Sequence, residues 1–332
     1  VSKGTVTAQL LYEISSPAYI NPDVVAHFDT LKIVDVEKDK VFVSGCRGSS
    51  PPKEHKVCIN LSGGFRNGME IILTGLDIEE KANVFTNTLF NSVGGKEQFD
   101  EVSIQLHRTD KHDANTNEEA MASLVISVKS KDPNLVGRLF SAKIIELALA
   151  NIPGFFAQSG VKTSGPVIVY WPALVKSKYI KEIVHVDGKD IEVEPTSQLD
   201  LEEIYYQKEP VKLEKIEIKG ERELYFGELF GTRSGDKGGC ANLGVWAKNS
   251  RAFAFLYDFL TVDKLKDLLP DLQEFKIERF ELANINSLNF YIHDILQDGV
   301  SSNNKKDGQA KSLGEYLRSK KIKVPESIIG DL

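Results

Sequence analysis

Apolar positions along the chain follow two rhythms, one repeating near every 3.6 residues and one every second residue. Their alternation predicts a mixed α+β protein. Val6, Leu10 and Ile14 recur at every fourth position, which predicts an amphipathic helix over 5–14. Residues 28–33 and 40–44 alternate as strands do, and 56–61 and 69–73 do so again around a Gly-rich bend. Asp77, with Glu80 three residues on, reads as a capping box. It opens a helix that carries Val84, Phe85, Thr88 and Leu89 and stops near Gly94 and Gly95. Strands are expected over 99–106 and 123–128. Asp132-Pro133 then opens a second helix, with Pro where its missing N–H costs nothing. Val136, Phe140, Ile144 and Leu147 give that helix its apolar face, and 167–171 form a last apolar strand. From about residue 56 the order is β-α-β-β-α-β, the ferredoxin-like arrangement.

Asp187-Gly188, between alternating residues over 184–193, marks a type I′ hairpin. An acidic stretch over 199–209 reads as a linker or a surface helix. A second module opens near Arg222, with a strand over 224–230, a Gly-rich loop over 231–242 and a strand over 243–247. Helices follow over 251–260 and 262–269, the latter capped by Thr261. Strands over 274–282 and 288–295 flank Asn284-Ile285-Asn286, and a helix over 313–320 ends the pattern. The polar loop 298–308 is expected to be mobile. The expected fold class is α+β: two ferredoxin-like β-α-β-β-α-β modules preceded by a partial N-terminal segment. The boundaries are 1–55, 56–195, a linker over 196–221, and 222–332. The helix over 5–14 has no upstream element to pack on, so the chain's start reads as a processed or incomplete edge.

Charge and cysteine usage narrow the function classes. Across 332 residues, 41 Lys and Arg stand against 48 Asp and Glu, a net −7, so no broad basic nucleic-acid footprint is expected. Cys46, Cys58 and Cys240 show no C-x-x-C spacing, which argues against a disulfide framework or structural zinc and for a reducing, cytoplasmic setting. No metal and no cofactor is expected. No run of 18 apolar residues spans a membrane.

Chemistry concentrates in Gly231-Thr232-Arg233-Ser234-Gly235-Asp236-Lys237-Gly238-Gly239-Cys240-Ala241-Asn242. Glycines there let successive backbone N–H groups converge as an anion-binding nest. Arg233 can fork onto a carboxylate or phosphate, Lys237 adds a point charge, and Asp236 can orient either or move a proton. Ser234, Gly235, Gly238 and Asn242 complete the expected ligand set, and Asp236 and Lys237 the expected catalytic pair. The spacing is neither a Walker loop nor a dinucleotide fingerprint. A solvated hairpin turn is the bland alternative. Arg47, in Gly45-Cys46-Arg47-Gly48, and Arg66, in Gly63-Gly64-Phe65-Arg66, could each lend a guanidinium, though such segments are more often ordinary turns. His107 to Asp113 interleaves two His with Arg and Lys, a poor metal match and a better solvated loop. No nucleophile elbow occurs, and Cys240 reads as structural.

Arg233-Ser234-Gly235-Asp236-Lys237-Gly238, followed by Ala241-Asn242-Leu243-Gly244-Val245, resembles the acyclic terpene utilisation (AtuA) family. Gln9-Leu10-Leu11-Tyr12-Glu13-Ile14, Pro22-Asp23-Val24-Val25, Gly45-Cys46-Arg47-Gly48 and Val136-Gly137-Arg138-Leu139-Phe140-Ser141 extend the likeness over nearly the whole chain. The resemblance implies an AtuA-like core over 56–195, an AtuA-like ferredoxin-fold domain over 222–332, and a larger N-terminal domain ahead of Gln9. Gly239 stands where many members carry an acidic residue, so no acid/base role is placed there. It further implies catabolism of acyclic terpenoids at the acyl-CoA stage, with an enoyl-CoA hydratase or lyase component as the expected activity. A small anionic substrate such as a CoA thioester, and a homo-oligomer or pairing with the N-terminal domain, are the expected partners. The alternative is a non-catalytic anion-binding or assembly module serving a separate catalytic chain.

Overall fold

A computed structural model describes residues 1–150, 152–194, 197–200, 204, 211–216 and 220–329. Most of the acidic stretch and half of the expected linker therefore lie outside the described residues. The chain divides into two compact units, one of Val1–Ile59 with Tyr170–Leu332 and one of Asn60–Val169.

In the second unit an antiparallel sheet runs in the order Gly165–Lys176, Glu54–Thr74, Met121–Ser130, Glu101–His107, with Phe155–Ala157 also paired to Glu54–Thr74. This is the ferredoxin-like strand order, fourth-first-third-second. Met69, Ile71 and Leu73 alternate onto one face opposite Ile126, Leu124 and Ala122. The helices Ile78–Ser92 and Arg138–Ala148 cover that face, burying Phe85, Leu89, Phe140 and Ile144.

Three expectations change here. The bend at 62–68 is part of a continuous 21-residue strand. Its glycines serve close approach rather than a turn: a β-carbon on Gly68 would lie 2.8 Å from the Ile126 carbonyl oxygen, and one on Gly63 2.9 Å from Val169. Asp77 precedes its helix in the left-handed region (φ 59), so its carboxylate makes no cap and the box does not form. The second helix starts at Arg138; before it Asp132 turns the chain by accepting the Asn134 N–H at 2.9 Å.

In the first unit the sheet order is Phe230–Lys237, Cys240–Ala247, Ser287–Ile292, Ile277–Leu282, antiparallel throughout. The edge beside Cys240–Ala247 is held by the preceding strand, while the strand after the last long helix, Lys321–Pro325, pairs with Glu221–Tyr225. Leu243, Val245, Leu288 and Phe290 point to a face covered by Ser250–Phe259, Val262–Leu268 and Leu313–Arg318. Asn249 and Thr261 cap the first two of these, each accepting a backbone N–H.

The opposite face receives the N-terminal segment. The helix Lys3–Leu10 is followed by Leu11 and Ile14, both buried with Ile33, Leu282 and Ile285. The loop expected over 231–242 is instead a tight hairpin of two long strands. The strand expected over 224–230 splits into Glu221–Tyr225 and a helical turn, Phe226–Leu229. The loop 298–308, expected to be mobile, is tied around buried Asn303, whose amide donates to Gly299 O at 2.9 Å and Gly308 O at 3.0 Å. Asp187 and Gly188, both at positive φ, close the ribbon of Glu182–Val186 and Lys189–Val193 as the sequence predicts. Among the described residues no helix is long and apolar enough to cross a membrane.

Candidate functional site

The hairpin settles what its glycines do. Lys237 pairs with Cys240 across a two-residue turn of Gly238 (φ 66) and Gly239. With that register, the N–H groups of residues 231, 233, 235 and 237 bond across to the neighbouring strand, so they do not converge on an anion. The nest expected from the sequence does not exist. Gly235 and Gly244 instead make room for the N-terminal segment: β-carbons there would lie 2.6 Å from Tyr12 Cε2 and 2.5 Å from Leu11 Cβ. A β-carbon on Gly239 would overlap the Gln297 carbonyl oxygen, so no acidic side chain fits that position without moving backbone.

Strand alternation sorts the polar residues by face. Arg233 and Lys237 project on the side of the N-terminal segment. The Arg233 guanidinium lies 4.3 Å from the centre of the Tyr12 ring, and Lys237 Nζ 5.4 Å from that of Tyr19. Arg233 is exposed and makes no ion pair with the described residues, so its fork stays open to an anion. Lys311 approaches the same ring, 4.3 Å from its centre, and pairs with Glu13 at 3.0 Å and Asp236 at 3.9 Å. Three cations and two carboxylates thus gather at one edge of the sheet. Beside them a cavity of about 350 Å³ is lined by Thr232, Arg233, Ser234, Lys311, Gly314 and Glu315.

Burial sets the protonation of two of these groups. It raises the Asp236 carboxyl above the ordinary carboxylate range, helped by the negative charge of Glu13 and opposed by a backbone hydrogen bond and Lys237. It lowers the Lys237 amine, helped by Lys56 and opposed by Glu13 and Asp236. A carboxyl pushed up and an amine pushed down lie nearer the neutral range, where proton transfer is most efficient. As neighbours on a strand they face opposite sides, so they do not act on one atom from one direction.

The other expected residues take different places. Asn242 is fully buried: it accepts the Glu13 N–H at 2.8 Å and donates to Leu11 O at 2.5 Å and to Asn289 Oδ1 at 2.8 Å. It holds the N-terminal segment, with no exposed surface left for a ligand. Ser234 is buried and accepts the Gly314 N–H at 2.9 Å. Gly238 turns the chain, with Tyr170 close by. Arg47 is exposed in the small sheet of Ala18–Ile20, Val25–His27 and Arg47–Ser49, while Arg66 stands opposite Lys129 in the unit Asn60–Val169. Arg108 forks onto Asp110 and reaches Glu79, so the 107–113 segment is an ion-paired turn. Among the described residues no cluster is arranged to hold a metal.

Sequence reasoning missed Tyr12, Glu13, Tyr19 and Lys311. The run Gln9 to Ile14 carried the signal, since Tyr12-Glu13 breaks its apolar repeat with two chemically capable residues. A larger cavity, about 1000 Å³, lies elsewhere in the same unit, between Leu213, Ile216, Phe255, Phe259 and Ile322. Its rim carries four carboxylates against four lysines, so it has no charge preference.

A family model described as acyclic terpene utilisation family protein AtuA matches residues 1–186, and one described as the AtuA ferredoxin-like domain matches 226–323. No curated protein and no solved structure gives a significant match. The second match spans the hairpin and its covering helices, and the first spans the segment that carries Tyr12, Glu13 and Tyr19. With more than half its length matched, and with the ferredoxin-like sheet in place, the chain belongs to the acyclic terpene utilisation family.

Proposed function

We propose that the chain acts on a branched acyl-CoA formed during acyclic terpenoid breakdown, as an enoyl-CoA hydratase or lyase component. The observation that carries this reading is the guanidinium of Arg233, without an ion pair among the described residues and stacked on Tyr12, with Lys311 on the same ring and Lys237 two pleats along the strand. An anionic ligand supplies what that arrangement lacks. Each charge-assisted hydrogen bond it makes there contributes about 1.5–3 kcal/mol. Hydration across a double bond conjugated to a thioester needs cationic donors for the enolate oxygen and groups that move protons. Arg233, Lys237 and Lys311 are such donors, and Asp236 and Lys237 have protonation equilibria drawn toward neutrality.

Thermal-shift titration with 3-methylcrotonyl-CoA, CoA and 3-methylcrotonate tests the reading. The thioester is expected to raise the melting temperature of the wild type and not of Arg233→Ala. A shift that survives Arg233→Ala places the ligand elsewhere.

A second reading, an assembly module serving another catalytic chain, is favoured by one surface. On the ribbon of Glu182–Val186 and Lys189–Val193, Val184, Val186, Ile191 and Val193 form one apolar face, all of it exposed. An isolated two-stranded ribbon is marginal in water, and a second chain covering that face would stabilise it. Equilibrium sedimentation of wild type and Ile191→Asp decides: self-association lost in the variant supports assembly, and a monomeric wild type removes a homo-oligomeric form of it.

A further inference from the structure

Glu13 sits in the left-handed region at φ 57, a conformation that a non-glycine residue adopts at a cost. The chain holds it there with buried polar groups. Asn242 takes its N–H, while Asn242 and Asn289 together donate to the carbonyls of Leu11, Ile14 and Ser15 on either side. Gly235 adds a second constraint, because only a hydrogen at that position clears Glu13 Cγ, which would be 2.9 Å from a β-carbon. The side chain so aimed is part exposed and meets Lys311 at 3.0 Å; Lys311 in turn meets Asp236 at 3.9 Å. The loop carrying Lys311 is pinned by Asp307, which accepts the N–H groups of Lys311 and Ser312 at 2.8 Å. Three remote segments thus converge on one ammonium between two carboxylates.

The geometry points to Glu13 and Asp236, bridged by Lys311, as the proton-transfer centre of the site, with Glu13 the base and Asp236 the acid. This rests on the acyl-CoA reading above and adds residues to it. For a 3-hydroxyacyl thioester the step balances as a dehydration. Glu13 takes the proton from C2, the freed electron pair forms the C2–C3 double bond, the C3–O bond breaks, and the departing oxygen takes the proton of Asp236 and leaves as water. Hydration is the reverse, and solvent returns the proton from Glu13 to Asp236. The charged groups that face the pair are Lys311 from its loop and Lys237 from the hairpin strand, while Arg233 shares the uncharged Tyr12 ring with Lys311.

Two measurements test it. In D2O, the wild type is expected to place deuterium at C2 of 3-methylbutyryl-CoA, and Glu13→Gln to do so about 100-fold more slowly or worse, while thioester binding persists. Binding without exchange in the wild type, or exchange by Glu13→Gln at the wild-type rate, overturns the assignment and leaves the binding reading intact. Independently of turnover, 13C NMR titration of the carboxyl groups is expected to show Asp236 titrating at lower pH in Glu13→Gln than in the wild type, because a neighbouring negative charge has gone. An unchanged Asp236 titration overturns the pair. If no thioester binds, the acyl-CoA reading fails, and this titration alone decides whether the coupled centre exists.

Discussion

Asn242, on the second hairpin strand, accepts the backbone N–H of Glu13 at 2.8 Å across a sequence separation of 229 residues. That bond joins the residues of the two family matches at the candidate site, and it makes the hairpin a platform for the N-terminal segment. A buried amide with every polar atom engaged stabilises one geometry and penalises the rest.

Asn242→Ala strands the Leu11 carbonyl, the Glu13 N–H and part of the Asn289 amide in a buried place. The expected loss is at least ~2 kcal/mol in urea unfolding. Because Asn242 and Asn289 share one network, Asn242→Ala and Asn289→Ala are expected to be non-additive, with a coupling of about 0.5–3 kcal/mol. Additive losses would mean that the two amides act separately.

Gly239 and Gly160 give a sharp pair. A side chain at Gly239 meets the Gln297 carbonyl and disturbs the bond from Leu296 N–H to Gly239 O at 2.8 Å, whereas nothing lies within 4 Å of a β-carbon on Gly160. Gly239→Ala is expected to lower the melting temperature clearly, and Gly160→Ala to change stability by no more than about 0.5 kcal/mol. Equal effects would contradict the packing described for the turn.

Protonation at the site makes stability depend on pH with a determined sign. Asp236 has a folded pKa above its unfolded one, so the native state holds the proton more tightly. Its contribution is greatest below the unfolded pKa and is lost as pH rises through the folded value. Asp236→Asn should therefore gain on the wild type as pH rises from the acid range toward neutrality. Lys237 runs the other way: its folded pKa is depressed, so its burial costs stability at neutral pH and that cost fades as pH rises toward the unfolded value. Lys237→Met should be more stable than the wild type near pH 7, with the difference shrinking at alkaline pH. Unfolding curves across pH for both variants check the two slopes.

Much of the fold is legible in the sequence because period and punctuation agree. Thr261 caps its helix, Asp187-Gly188 turns its ribbon, and the alternation around Met69, Ile71 and Leu73 marks one face of a sheet. The hairpin was not legible, since four glycines in the nine residues 231–239 read as a loop when packing is unknown. Gly231 and Gly235 are small because Trp246 and Tyr12 press on them, a tertiary cause that local propensity cannot carry. For the same reason Asp132-Pro133 looks like a helix start, yet Asp132 closes a turn and Gly137 precedes the helix. At the site, Arg233, Asp236 and Lys237 stand out in the sequence as charges in one run. Glu13 and Lys311 do not, because only the folded chain brings positions 13, 236 and 311 together.

The most direct test of the account is NMR of the Arg233 Nε–H in protein labelled with 15N, titrated with 3-methylcrotonyl-CoA. The account predicts that the Arg233 resonance shifts with saturation, together with resonances of Tyr12 and Lys311. Saturable shifts confined to Phe255, Phe259 and Ile322, with Arg233 unmoved, would place the ligand in the larger cavity and contradict it.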